Sequence, residues 1–176
     1  MVSSTAKGVT QRKSVNLNSS KHTLFYPDGE NRGFKDAHPP SDAVLDALLA
    51  TPEVKDTVDE MSDHKRDISR EALRKLFETV PVELSDANEK SYVVVGKFPM
   101  SGGDCDWFWI VRTGSKSAKV ILYAAGLSLE LQRTKMHGYR DIRGTWGTAA
   151  DHGYLMYRYD GHAYKTGREH TQMVKP

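Results

Sequence analysis

A single cysteine, Cys105, occurs in the 176 residues, and a disulfide scaffold needs at least two. No apolar run approaches the ~18–20 residues of a membrane-spanning helix, so no helical span is expected. Charge of one sign is also lacking: 25 Lys and Arg stand against 23 Asp and Glu, for a formal net charge of +2. That balance excludes a histone-like or polyacidic protein. No signal-peptide core follows Met1, so the expectation is a cytosolic chain or a mature form given a start methionine. The glycine pair Gly102-Gly103 has neither a Lys-Ser/Thr ending nor a helix start behind it, which excludes a phosphate loop.

What the sequence does hold is a patterned chain. Its length predicts one domain. At this size about 70 % of the unfolded surface can be buried without a disulfide or metal staple. Residues 1–40 have a net charge of +3, residues 41–90 a net of −6 and residues 91–170 a net of +4. An acidic middle between basic segments suggests two packed layers of different character.

Residues 1–40 alternate Ser and Asn with isolated Lys and Arg, without a hydrophobic period, and read as a flexible polar arm. Within it, Leu24-Phe25-Tyr26 suits a short strand before the Pro27-Asp28-Gly29 turn. The domain is expected over 41–170, with helices in 41–80, a sheet in 82–166 and a tail at 171–176. Ser41 caps a first helix with Val44, Leu45, Leu48 and Leu49 on one stripe. Thr51-Pro52 opens a second, and Ser69 a third whose Ala72, Leu73, Leu76, Phe77 and Val80 share a face until Pro81 stops it. Beyond Val82 the period becomes 2. Strands are expected over Tyr92 to Phe98, Trp107 to Arg112, Lys119 to Tyr123, Leu127 to Arg133, Ile142 to Thr148 and Tyr154 to Tyr159. The run Trp107 to Val111 is apolar on both faces and belongs at a sheet centre, whereas Leu127, Leu129 and Leu131 mark a strand with one wet face. Asp160-Gly161 suits a two-residue type I′ turn joining Tyr159 to His162. The fold class is therefore α+β: N-terminal short helices packed on one antiparallel meander sheet of about six to eight strands.

Candidate chemistry is thin. Cys105 is flanked by Asp104 and Asp106, which oppose thiolate formation. Two aspartates in that loop are too few for calcium. His137, His152, His162 and His170 fall near Asp141, Asp151 and Asp160, but without a compact zinc spacing such as H-E-x-x-H. No catalytic, metal or cofactor-binding residue is assigned on these signals, and no cofactor is expected. If the chain were a small hydrolase or metal-assisted enzyme, His137, Asp141, His152, Asp160 and His162 would carry the site. Basic residues interleaved with aromatics over 107–159 also admit base stacking, yet the segment's charge excess is small, so nucleic acid is a minor alternative.

The ordered set Trp107-Phe108-Trp109-Ile110, Val120 to Leu129, Gly138-Tyr139-Arg140-Asp141-Ile142 and Tyr157-Arg158-Tyr159-Asp160-Gly161 with Tyr164 resembles a group of mostly exported bacterial proteins of unknown activity. Their signature is Phe-Trp-Ile/Val, Gly-Tyr-Arg/Lys-Asp-Ile/Leu and Tyr-x-Phe/Tyr-Asp-Gly-x-x-Tyr, and the likeness covers about residues 69–165. The resemblance implies a periplasmic or secreted protein, and it brings no enzymatic activity or cofactor. Relatives with an Asp- and Gly-rich calcium-like loop upstream differ from this chain, which has none. The leading expectation is a non-enzymatic exported or envelope binding module that recognises another protein. Its candidate surface is Arg112, Tyr139, Arg140, Arg143 and Arg158, residue types enriched in interface hot spots.

Overall fold

In the computed structural model, residues 23–25, 37–62, 68–87, 89–115, 117–148 and 151–173 are described. Three helices lie between a first short strand, β1 (Thr23–Phe25), and the remaining strands. In α1 (Asp42–Leu49) the Ser41 hydroxyl accepts from Val44 N, and Val44, Leu45 and Leu48 are buried. Pro52 opens α2 (Pro52–Ser62), where its missing N–H removes nothing the helix uses. Thr51 does not cap it: the Thr51 hydroxyl turns back and donates to Leu48 O at 2.8 Å. Ser69 caps α3, but that helix covers only Arg70–Arg74.

The third helix thus ends before the expected Pro81, and Phe77–Val82 is a strand, β2. Phe77, Thr79, Val80 and Val82 fit the period of either structure, and pairing with β3 (Lys90–Gly96) decides for the strand. Pro81 is tolerated because β2 is an edge. His38 exchanges both backbone bonds with Thr79 on the outer side, N to O at 3.0 Å and 2.8 Å. Pro81, two residues on, turns its nitrogen to that same outer side, so no bond to β3 is lost.

The chain continues through β4 (Asp106–Thr113), β5 (Ala118–Gly126), β6 (Ser128–Met136), β7 (Tyr139–Gly147), β8 (Asp151–Tyr159) and β9 (Tyr164–Met173). The expected single meander is instead two antiparallel sheets, ordered β2-β3-β4-β5 and β1-β6-β7-β8-β9. The division falls at Gly126-Leu127. Leu127 N leaves the first sheet to donate to Thr145 O of β7 at 2.7 Å. A Cβ on Gly126 would lie 2.4 Å from that oxygen, so the corner needs glycine. A second link forms where the chain leaves β2, with Arg140 N donating to Leu84 O at 2.8 Å.

The sheets face each other over Val93, Val95, Phe108, Ile110, Leu129, Leu131, Ile142, Tyr157 and Tyr159. The far side of the four-stranded sheet packs Val94, Trp109 and Val111 against Val44, Leu45, Leu48 and Val54 of the helices. The order of layers is helices, four-stranded sheet, five-stranded sheet. β4 is interior to its sheet, as its two-faced apolarity requires. Ile121 is an extra residue opposite Ile110/Val111, a bulge that turns both Ile121 and Leu122 to the inter-sheet core.

The folded unit also begins earlier than residue 41. Phe25 is buried in the inter-sheet core, β1 pairs with β6, and His38 extends β2. Residues 1–22 and 26–36 of the segment read as an arm, and residues 174–176 of the tail, lie outside the described residues.

Candidate functional site

The inward row of β4 runs Phe108, Ile110, Arg112. The last of these lies at the mouth between the sheets, where an apolar residue would meet water. Arg112 donates to the hydroxyls of Tyr159 at 2.8 Å and Tyr139 at 3.2 Å. Tyr139 in turn donates to the Glu89 carboxylate in a short contact. Tyr139 stacks on Tyr159 with centroids 4.0 Å apart, and Tyr164 meets Tyr159 edge-on at 5.4 Å. Tyr164 donates to Arg140 O at 2.8 Å. The Tyr139 bond raises the Arg112 pKa above its ordinary value. Burial, and then the Glu89 bond, raises that of Tyr139. The mouth is a closed polar network that ties the two sheets together.

Arg140 and Asp141 both serve the β6 bulge, where the register slips between Leu131 and Lys135. The Arg140 guanidinium donates to Gln132 O at 2.8 Å and Leu131 O at 3.1 Å, two carbonyls at the bulge. Burial lowers the Arg140 pKa from its ordinary value. Asp141 accepts from the Thr134 hydroxyl at 2.7 Å.

Arg143 and Arg158 occupy a different place, the outer face of the five-stranded sheet. Glu130, Arg143, Tyr154, Met156 and Arg158 alternate with core residues and so point away from the core. Arg143 pairs with Glu130, and its guanidinium lies 5.4 Å from the centroid of the Tyr154 ring. Arg158 Nε stands 3.8 Å from Asp141 Oδ2. Lys165 of β9 is directly opposite Arg158. The helices cover the other outer side of the molecule, and no helix among the described residues lies on this one.

The five residues expected as one surface are therefore divided. Arg143 and Arg158 share the outer face, Arg112 and Tyr139 close the mouth, and Arg140 fills the bulge. Sequence reading missed Lys165 and Met156. Their alternation along β8 and β9 was visible, but their adjacency to the arginines depends on register.

His137, His152 and His162 do not converge. His137 and Gly138, with φ of +49° and +80°, form the two-residue turn between β6 and β7. His152 lies within β8 rather than in a turn, opposite Gly147 at the other end of the sheet. His162 is exposed in the β8–β9 loop. That loop spans four residues, since Tyr159 pairs with Tyr164 and not with His162. Asp160 organises it by accepting from His162 N at 2.8 Å and Ala163 N at 2.9 Å, and these backbone bonds lower its pKa. Asp141 is held at the bulge. Among the described residues no group of three His, Cys, Asp or Glu side chains is placed to hold a metal ion. No helix of the described residues is long and apolar enough to cross a membrane.

Comparison with protein-family models, with curated proteins and with solved structures gives no match.

Proposed function

We propose that this chain is a non-enzymatic binding module that recognises another protein through the outer face of its five-stranded sheet. The observation that carries the reading is the set Arg143, Tyr154, Met156, Arg158 and Lys165. It lies side by side on a face that no helix of the described residues covers. Arginine and tyrosine are the side chains most often responsible for binding energy at protein interfaces, because each offers a large contact area with a polar end. The resemblance in the β4, β7 and β8 motifs supports a location outside the cytoplasm, in the envelope or secreted.

A hydrolase built on His137, Asp141, His152, Asp160 and His162 ranks below this reading. His152 sits at the opposite end of the sheet from the other four, Asp141 is engaged by Thr134, and Asp160 is engaged by the backbone of its own loop. Affinity capture from envelope extracts tests the proposal. A partner retained by the wild-type chain and lost with Arg143→Glu plus Arg158→Glu is expected. Absence of any specific partner, or a partner indifferent to substitutions across this face, overturns it.

A further inference from the structure

The charges of this face are stratified. The carboxylates paired with its arginines lie deep, with the Glu130 side chain 12 % and the Asp141 side chain 6 % exposed. The guanidiniums paired with them stand outward, Arg143 at 40 % and Arg158 at 60 %. A nearly balanced count of charges thus presents cations to whatever approaches. Water screens the interaction of a group less when it is buried, so the carboxylates hold the arginines in position. The outer ends of the arginines define the local potential.

Lys165 adds a third cation to this face. It is exposed, forms no ion pair among the described residues, and faces Arg158 directly across the β8–β9 ladder. Like charges at opposed positions of an antiparallel pair destabilise it. Asp141 beside Arg158, and the attraction of Asp160 for Lys165, offset part of this repulsion. Carboxylates supplied from outside would remove the conflict.

Resting on the protein-binding reading above, we infer that the partner is an acidic protein segment whose carboxylates meet Arg143, Arg158 and Lys165 on the outer face of β7, β8 and β9. A protein segment fits better than a nucleic acid. Among the described residues three cations backed by two carboxylates make a small patch, whereas nucleic-acid binding uses a basic track that follows many phosphates. Met156, opposite Arg143, offers apolar contact between the charges, as a protein interface does.

The test uses the full chain and a synthetic peptide of alternating Glu and Ser, followed by amide shifts in low salt. Shifts are expected at Arg143, Tyr154, Met156, Arg158 and Lys165, with affinity falling about tenfold in Lys165→Gln and further in Arg158→Gln plus Lys165→Gln. Lys165→Gln leaves the Arg158–Asp141 contact intact, so lost binding there is not lost folding. No binding, or shifts confined to the helices, overturns the inference. Tighter binding of duplex DNA at the same salt overturns it in favour of a nucleic acid. Self-association abolished by the same substitutions overturns it in favour of a second copy of this chain. A natural partner captured equally by wild type and Lys165→Gln, yet lost on substituting Tyr154 or Met156, overturns the acidic partner alone and leaves the protein-binding reading standing.

Discussion

Arg112 and Tyr159 stand 47 positions apart in the chain and 2.8 Å apart across the two sheets. This bond closes the mouth of the sandwich. The Arg112 side chain is 29 % exposed, and it serves two phenols whose rings are stacked. Arg112→Met should therefore lower stability by about 1–3 kcal/mol, since Tyr139 and Tyr159 lose a charged donor together. Tyr159→Phe should lower it by about 0.5–1.5 kcal/mol, because Arg112 keeps Tyr139. Urea unfolding with an unchanged denaturant slope measures both.

The phenols also set an alkaline limit. Burial pushes Tyr123 up to about 12 from an ordinary value of 10.0. Tyr139, Tyr157 and Tyr164 are raised as well, each chiefly by burial. A folded value above the unfolded one means that the stabilisation is complete below pH 10. It is lost as pH rises toward the folded values. The melting temperature should be flat up to about pH 10 and fall steeply above it, with phenolate absorbance rising together with unfolding. Phenolate absorbance that rises near pH 10 with no loss of structure contradicts this.

Gly126 carries the turn from one sheet to the other. Gly126→Ala should lower stability by about 1–3 kcal/mol, because the added methyl meets the Thr145 carbonyl, a backbone atom that cannot step aside alone. Gly103→Ala is the control. A Cβ there meets nothing within 4 Å, so thermal unfolding should barely move.

Lys165→Gln should stabilise the isolated chain by about 0.2–1 kcal/mol while weakening binding, as the opposed cation pair predicts. A substitution that strengthens the fold and impairs recognition separates a functional position from a structural one. Thermal melts at low and high salt read the effect, which should shrink as salt rises.

These residues show how far the sequence was legible. The apolar run Trp107 to Val111 announced an interior strand, a local property. The alternation of Leu127, Leu129 and Leu131 put Leu129 and Leu131 in the core, but the expected wet face is not wet there: Ser128 and Glu130 are buried and Leu127 is exposed, because neighbouring strands cover what alternation alone leaves open. Phe77 to Val80 suits a helix in sequence because Leu73, Leu76, Phe77 and Val80 keep a helical period, while the same residues also fit an extended strand, and only pairing with β3 separates the two. The division into two sheets was hidden for a similar reason, since alternation says which side chains share a face but not which strands share bonds. The candidate face was half visible. Arg143 and Arg158 stood out by type, while Lys165 became meaningful only when the β8–β9 register set it opposite Arg158. Arg112 and Arg140 looked equivalent to them in sequence, yet each is committed to holding the fold.

The central claim is that recognition occurs on the outer face of the five-stranded sheet. A photoreactive side chain placed at Met156 on that face, and in a second variant at Asp56 on α2, compares two outer surfaces of one folded chain in extracts of its own compartment. The account predicts a single acidic protein crosslinked from position 156 and none from position 56, with the product lost when Lys165→Gln is added. Crosslinking from position 56 alone, or equally from both, would contradict it.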